Sequence, residues 1–446
     1  MQACSFSFAT VHFTLLIMLV SEYRSSDEIE LSSPISESFD VKAKTEVEGL
    51  SEDETEDEEA NQPFAWQSRR VTWPTFNIYT AALGLLWIVS LLSVFGLGRL
   101  SRSSARIELV DGPSQTNTTI AKVSMLYGEQ KEHYVRAIAS HQRHADRWGY
   151  PFHVSREDGG CGFWNKPSYL LTMLAKEFAK PQPERREWLM WVDADTIVLN
   201  PHIPAEVFLP PSGPKFSHIS FVGTRDSGGL NSGVFFLRVS EWSVEMIVAS
   251  MELQLCRPKF DLGRNKDQYA MALTFNKSTG GPSGRGYKEG VAYVPRHWFN
   301  SYDHPLGSGN RTGTRTYDFP GSKLGHSYGG VVGDFIVHFP GLNTGRPELM
   351  MDWEDLVESE RAGEWAHPLE ETNYPEMTES FWEQYKTALD LLDESESIRR
   401  GGPALVESAR LLRASLQEQS DDMAVMSSRM DEVRKHLRKT KEGDST

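Results

Sequence analysis

Two aspartates one residue apart, Asp193 and Asp195, close an apolar run in the segment EWLMWVDADTIVLNP. Trp188 to Val192 predicts a buried strand that delivers both carboxylates to its carboxyl end, where open α/β sheets bind their ligands. Carboxylates at positions i and i+2 leaving a strand suit a hard divalent cation that also ligates a diphosphate. Such a pair is common by chance, so the context decides. GDFIVHFPG sends a strand, Phe335 to Val337, into His338, whose imidazole can complete a metal shell made mostly of carboxylates. GLNSGVFFLR places Asn231, Ser232 and Gly233 in a tight turn before an apolar strand, which brings backbone close to a small ligand or simply reverses the chain. NKDQYAM puts Asp267 and Gln268 at the start of a helix, where their side chains either cap it or project towards a ligand.

These groups need a scaffold, and the pattern from Thr119 onward supplies one. Residues 120–127 read as a buried strand, Lys131 to Trp148 as a helix, Phe152 to Val154 as a second strand and Lys166 to Phe178 as a second helix. After the aspartates a further extended run covers Thr196 to Leu199. Strands alternating with helices build a mostly parallel sheet covered on both faces, an α/β fold.

The rest of the chain sets the address. Its 446 residues carry 62 acidic and 46 basic side chains, a net charge of −16, but residues 21–60 alone hold −12 of it. The remaining body is near neutral and lacks a basic run on the scale of a nucleic-acid groove, which argues against DNA or RNA as main partner. Three cysteines exclude a disulfide-built miniprotein. Residues 1–75 read as a disordered acidic cytoplasmic tail, because SEDETEDEEA and its surroundings bury too little apolar area to offset chain entropy. Val11 to Val20 is apolar but too short to span a bilayer. Phe76 to Leu97, 22 residues without a charge, predicts a transmembrane signal-anchor helix, followed by a stem over 98–118. The N-x-S/T triplets at Asn117, Asn276 and Asn310 all follow that span and favour a luminal C-terminal portion. There Cys161 and Cys256 either pair or remain two small buried thiols.

The ordered series W-x-D-x-D-T, L-N-P, G-L-N-S-G-V-F-F-L-R with Glu241-Trp242, D-Q and V-H-F-P-G resembles glycosyltransferase family 34, the fungal galactosyl/mannosyltransferases and plant xylosyltransferases. The resemblance runs from about Ile120 to Arg346 and includes HADRWGYPFHV, residues 144–154. It implies a GT-A type, Rossmann-like catalytic domain over 119–352, a type II Golgi membrane protein, Mn²⁺, and transfer of a hexose from UDP-galactose or GDP-mannose to a glycan or glycoprotein acceptor with retention. By motif position Asp193, Asp195 and His338 become the metal ligands, Asp267 and Gln268 the pair beside the donor sugar, and Lys166 a lysine near the donor and its phosphates. Where some family members have a diphosphate-binding lysine five residues beyond the histidine, this chain has Asn343, so Arg346 is the nearest base. Retention can follow two inversions through a carboxylate intermediate or a front-face attack, and an amide at Gln268 favours the second.

Beyond residue 352 the resemblance ends and a helical extension follows. Leu405, Ala409, Leu412, Leu416, Met423, Met426, Met430, Val433 and Leu437 alternate at spacings of 4 and 3, with Gln419 in the gap. That spacing predicts a coiled coil over 405–437, serving a homodimer or a hetero-complex with other glycosyltransferases, or else an amphipathic helix lying on the catalytic domain. A non-catalytic, scaffolding subunit of a mannan or galactomannan transferase complex is the competing function.

Overall fold

The computed structural model describes residues 118–256, 258–284, 286–306, 319, 321–341, 345–398 and 402–443. The acidic tail, the apolar run at 76–97, the stem up to residue 117, Asn310 and Asn343 lie outside the described residues. Among those described, no helix is long and apolar enough to cross a membrane.

The chain alternates as expected at first. Strand β1 (Ile120–Met125) leads to helix α1 (Glu132–Trp148), which ends where Gly149 adopts a left-handed φ of 72° and returns its N–H to Ala145. Strand β2 (Phe152–Ser155) and helix α2 (Asn165–Phe178) follow, then β3 (Trp188–Val192) and the short β4 (Thr196–Val198). An antiparallel pair, β5 (Phe221–Asp226) and β6 (Gly229–Arg238), precedes α3 (Glu241–Cys256) and α4 (Lys266–Phe275). The short strands β7 (Val291–Tyr293), β8 (Ser301–Pro305), β9 (His326–Tyr328) and β10 (Ile336–His338) lead to α5 (Arg346–Glu358). The chain closes with α6 (Tyr374–Ser397), α7 (Pro403–Glu418) and α8 (Met423–Gly443).

Six strands form one sheet in the order β2-β1-β3-β6-β5-β7, and four form a second in the order β4-β10-β8-β9. In the first sheet β1 pairs parallel with β2 and β3, and β5 with β7, while β6 runs antiparallel to both its neighbours. The expected α/β sheet is therefore mixed, and of the smaller sheet the runs Thr196 to Leu199 and Phe335 to Val337 were legible as β4 and β10, whereas the short β8 and β9 were not. One expectation needs correcting: Asn231, Ser232 and Gly233 lie within β6, not in a turn, and the reversal falls ahead of them at Ser227–Gly228.

Period-two alternation decides which face each residue covers. Along β3, Leu189 and Trp191 point into a core shared with Leu170, Leu174, Met246, Ile247 and Phe275 of α2, α3 and α4. Trp188, Met190 and Val192 point to the opposite side, among Phe208, Trp298, Tyr374, Phe381, Leu412 and Met430. The second core thus contains the C-terminal helices. The expected continuous coiled coil does not form: the chain reverses at 419–422, and α7 packs antiparallel on α8, with His436 Nδ1 3.2 Å from Ser408 Oγ. Leu405, Leu412, Leu416, Met426, Met430, Val433 and Leu437 are buried in that core rather than offered to another chain. The sequence signal for the break is QSDD: Asp422 accepts a hydrogen bond from Val425 N at 3.0 Å, as an N-cap does. Ser420 meanwhile donates to Tyr293 O at 2.7 Å and accepts from Tyr293 N at 2.9 Å, covering the edge of β7.

Cys161 and Cys256 are not joined by a disulfide, and with Cys161 half-buried and Cys256 exposed they are not two buried thiols either.

Candidate metal and donor site

Asp193-Ala194-Asp195 is the turn by which the chain leaves β3 of one sheet and enters β4 of the other. The site therefore lies at the seam of two sheets. Backbone hydrogen bonds pin both ends of the turn, from Asp193 N to Gly233 O at 2.8 Å and from Phe339 N to Asp195 O at 3.0 Å. His338 ends β10, in register with Thr196 of β4, which places its ring beside the carboxylates. Ligand atoms of Asp193, Asp195 and His338 all lie within 4.8 Å of one another.

The imidazole is oriented from behind. His338 Nδ1 is 2.8 Å from Asn300 Oδ1, and the same amide donates to Thr224 Oγ1 at 2.7 Å and to Asn231 Oδ1 at 3.0 Å. Because Asn300 uses its NH₂ on those two acceptors, its oxygen must accept, so Nδ1 carries a proton and Nε2 is the ring nitrogen turned to the carboxylates. Asn231 Nδ2 in turn donates to Asp226, which also accepts from Tyr302 OH at 2.8 Å. Gly233 gives the ring room: a Cβ there would stand 2.1 Å from His338 Cε1.

Two cations and a carboxyl–amide pair face this trio. Lys166, in the first turn of α2, reaches Asp193 Oδ1 at 3.0 Å and the Ser232 carbonyl, and sits 4.9 Å from the centre of the Trp191 ring. Trp191 Nε1 donates to that same oxygen at 2.6 Å. Arg346, the first residue of α5, approaches Asp195 Oδ2 at 3.3 Å and Tyr134 OH at 3.1 Å, while its buried Nε has no hydrogen-bond partner among the described residues. Burial pushes Asp195 up, but His338 and Arg346 beside it outweigh that and hold its carboxyl below the ordinary aspartate range. Burial pushes Asp267 up, Lys166 opposes the shift, and Asp193 reinforces it. Gln268 Oε1 accepts from Ser232 N at 2.9 Å and Ser232 Oγ at 3.2 Å, so its amide is fixed against β6.

All ten residues picked out in the sequence fall in one cleft of about 790 Å³, joined by Met125, Tyr127, Phe163, Arg264 and Asn265. Sequence reasoning missed Asn300, Thr224 and Tyr302, which lie 38 to 76 residues from their partners and carry no periodic signal. It also missed Tyr127, although that residue ends the run read as the first strand. Two carboxylates, one imidazole with a fixed tautomer and an unsatisfied guanidinium N–H suit a hard or borderline divalent cation with an anionic ligand beside it.

Residues 211–347 match the galactosyl transferase GMA12/MNN10 family. Two curated relatives come from Schizosaccharomyces pombe (strain 972 / ATCC 24843). An alpha-1,2-galactosyltransferase is 23% identical over 268 residues, 51% of this chain and 62% of the relative. An uncharacterized alpha-1,2-galactosyltransferase is 24% identical over 237 residues, 46% of this chain and 62% of that protein. The match thus spans about three-fifths of either relative's length. Among solved structures, a glycosyltransferase involved in the glycosylation of the major capsid of PBCV-1 superposes with a TM-score of 0.36 at 16% identity, covering 52% of this chain and 98% of that one, too loosely to carry an argument. The profile match over residues 211–347 and the two relatives support assignment of the chain to the galactosyl transferase GMA12/MNN10 family, glycosyltransferase family 34.

Proposed function

We propose that the protein is a metal-dependent, retaining hexosyltransferase of GT-A type that moves galactose or mannose from a nucleotide sugar to a glycan acceptor, anchored in the Golgi membrane with its catalytic body luminal. The observation that carries the reading is the convergence of Asp193, Asp195 and His338 on the cleft that also holds Lys166, Asp267, Gln268 and Arg346. The names of the yeast relatives favour galactose. A Mn²⁺ ion held by Asp193, Asp195 and His338 would supply Lewis-acid stabilisation of the departing diphosphate.

The chain's own residues do the rest. Lys166 and Arg346 bring two positive charges to the cleft and are placed to neutralise a nucleoside diphosphate as its bond to the sugar breaks. Asp267, poorly solvated, favours the positive charge that develops on the sugar ring. Gln268 is held by Ser232 and offers an amide, a poor nucleophile, at the reacting face. In the front-face route the C1–O bond to phosphate breaks with its electron pair left on the phosphate oxygen. The acceptor hydroxyl then attacks C1 from the same side, and its proton passes to that oxygen. The competing scaffold reading loses its motivation, because the apolar seam behind it is buried within the chain.

The test is hydrolysis of UDP-galactose, GDP-mannose, UDP-glucose and UDP-xylose by the full-length protein with and without Mn²⁺. Turnover of one donor, abolished by EDTA, is the expected result. No turnover of any donor, or turnover that EDTA leaves intact, overturns the reading.

A further inference from the structure

Behind the carboxylate turn lies a buried trio of nitrogens. Lys122 of β1 is fully buried, with Nζ 3.0 Å from His141 Nδ1 and 3.1 Å from His144 Nδ1. Its hydrogen bonds go to these rings and to the His141 carbonyl, and among the described residues none goes to a carboxylate. An ammonium without an anion is costly in a sheet interior, and burial pushes Lys122 well below the ordinary lysine range. Both rings are committed on their far side, His144 Nε2 to Ile203 O at 2.9 Å and His141 Nε2 to Thr196 Oγ1 at 2.8 Å.

Proton counting fixes the direction of each bond. The Thr196 hydroxyl has one proton and gives it to Asp193 O at 2.6 Å, so it accepts from His141, whose Nε2 is the donor. The Ile203 carbonyl can only accept, so His144 also donates from Nε2. Both Nδ1 lone pairs therefore turn to Lys122. Thr196 is the pivot of this chain: it follows Asp195, bonds the backbone of Asp193, and stands in register with His338 across β4 and β10.

We infer that Lys122 and His141 are positioning residues for the metal ligands, acting through Thr196 to set the spacing between the carboxylate turn and His338. The inference rests on the metal reading above. Outer groups that orient ligands typically contribute a tenfold to hundredfold effect on metal affinity.

The test is Mn²⁺ binding to the full-length protein, followed by the loss of the free-ion EPR signal, beside thermal melting. Thr196→Val keeps the shape of a fully buried side chain and removes its hydroxyl. With His141→Leu and Lys122→Met it should weaken Mn²⁺ binding about tenfold or more. His141→Gln, whose amide can reach the Nε2 position, should recover most of the affinity. Phe381→Leu, in the core formed with the C-terminal helices, serves as a control that loses stability and keeps affinity. Wild-type affinity in folded Thr196→Val overturns the inference, as does affinity that simply follows melting temperature across the set, Phe381→Leu included. A wild-type chain that binds no Mn²⁺ overturns the metal reading, and the inference with it.

Discussion

Gly233→Ala puts one methyl group where the structure has no room for it. The new Cβ would lie 2.1 Å from His338 Cε1 and 2.8 Å from both ring nitrogens. Carbon atoms in contact rest about 3.5–4.0 Å apart, so the ring has to retreat by roughly 1.5 Å. His338 is buried, and its Nδ1 bond to Asn300 is 2.8 Å, so a retreat of that size breaks the bond and carries Nε2 away from the carboxylates. Overpacking costs about 1–3 kcal/mol, and the lost hydrogen bond adds about 1 kcal/mol, a moderate drop in stability that leaves the fold intact. Metal affinity should suffer far more, by at least the tenfold to hundredfold typical of a disturbed ligand. The assay is a Mn²⁺ titration of Gly233→Ala beside Gly363→Ala, an alteration at a site with nothing within 4 Å of the added carbon. Wild-type Mn²⁺ affinity in Gly233→Ala would refute the placement of His338 in the metal shell.

Three further outcomes follow from the same structure. Asp195→Asn should keep the fold and lose donor turnover by several orders of magnitude, measured as nucleotide release, because a near-isosteric amide replaces a charged ligand. Glu354, buried on α5, is pushed up to about 8, by burial first, with Arg136 opposing and Glu358 and Asp355 reinforcing; its folded value exceeds its unfolded one, so the stability it contributes is full below about 4.5 and is lost as pH rises towards 8. Glu354→Gln should therefore raise the melting temperature at pH 7.5 by more than at pH 5, and equal gains at both would refute that account. Replacing Leu412 and Leu416 together with Asp should collapse the catalytic body and its activity, since both are buried in the core shared with the first sheet and each unpaired carboxylate costs several kcal/mol. A folded, active double variant by circular dichroism and donor hydrolysis would refute that dependence.

Much of the site was legible because its parts sit at element boundaries that the sequence marks strongly. WLMWV is a strand from its first residue to its last, so the place where Asp193 and Asp195 emerge could be read directly. Asp267 and Gln268 likewise fall in the first turn of α4, where the sequence puts the start of a helix. What holds the ligands in place was not legible. Asn300, Thr224 and Asn231 meet only when β5, β6 and β8 come together, and a single polar residue carries no period to announce that meeting. The error over the C-terminal region has a different cause. A four-residue reversal leaves the spacing of 4 and 3 in phase, so two helices of a hairpin produce the pattern of one continuous seam; only the polar QSDD in the gap distinguishes them. The reading of Gly233 as a turn residue failed because a glycine needed for clearance looks, in sequence, like one needed for backbone freedom.

The serine that covers the last strand of the large sheet also dates the completion of the fold. Ser420 lies well beyond Arg346, the last of the site residues, yet Tyr293 relies on its hydroxyl for both an N–H and a carbonyl partner. A growing chain carrying all ten site residues, complete as far as Arg346, still exposes that strand and lacks the side chains of α6, α7 and α8 that close the hydrophobic layer beneath it. Folding of the body that carries the site consequently waits until α7 and α8 have been made, and a chain stopped short by a nonsense codon or a protease before α7 is a candidate for edge-to-edge aggregation rather than a smaller folded protein.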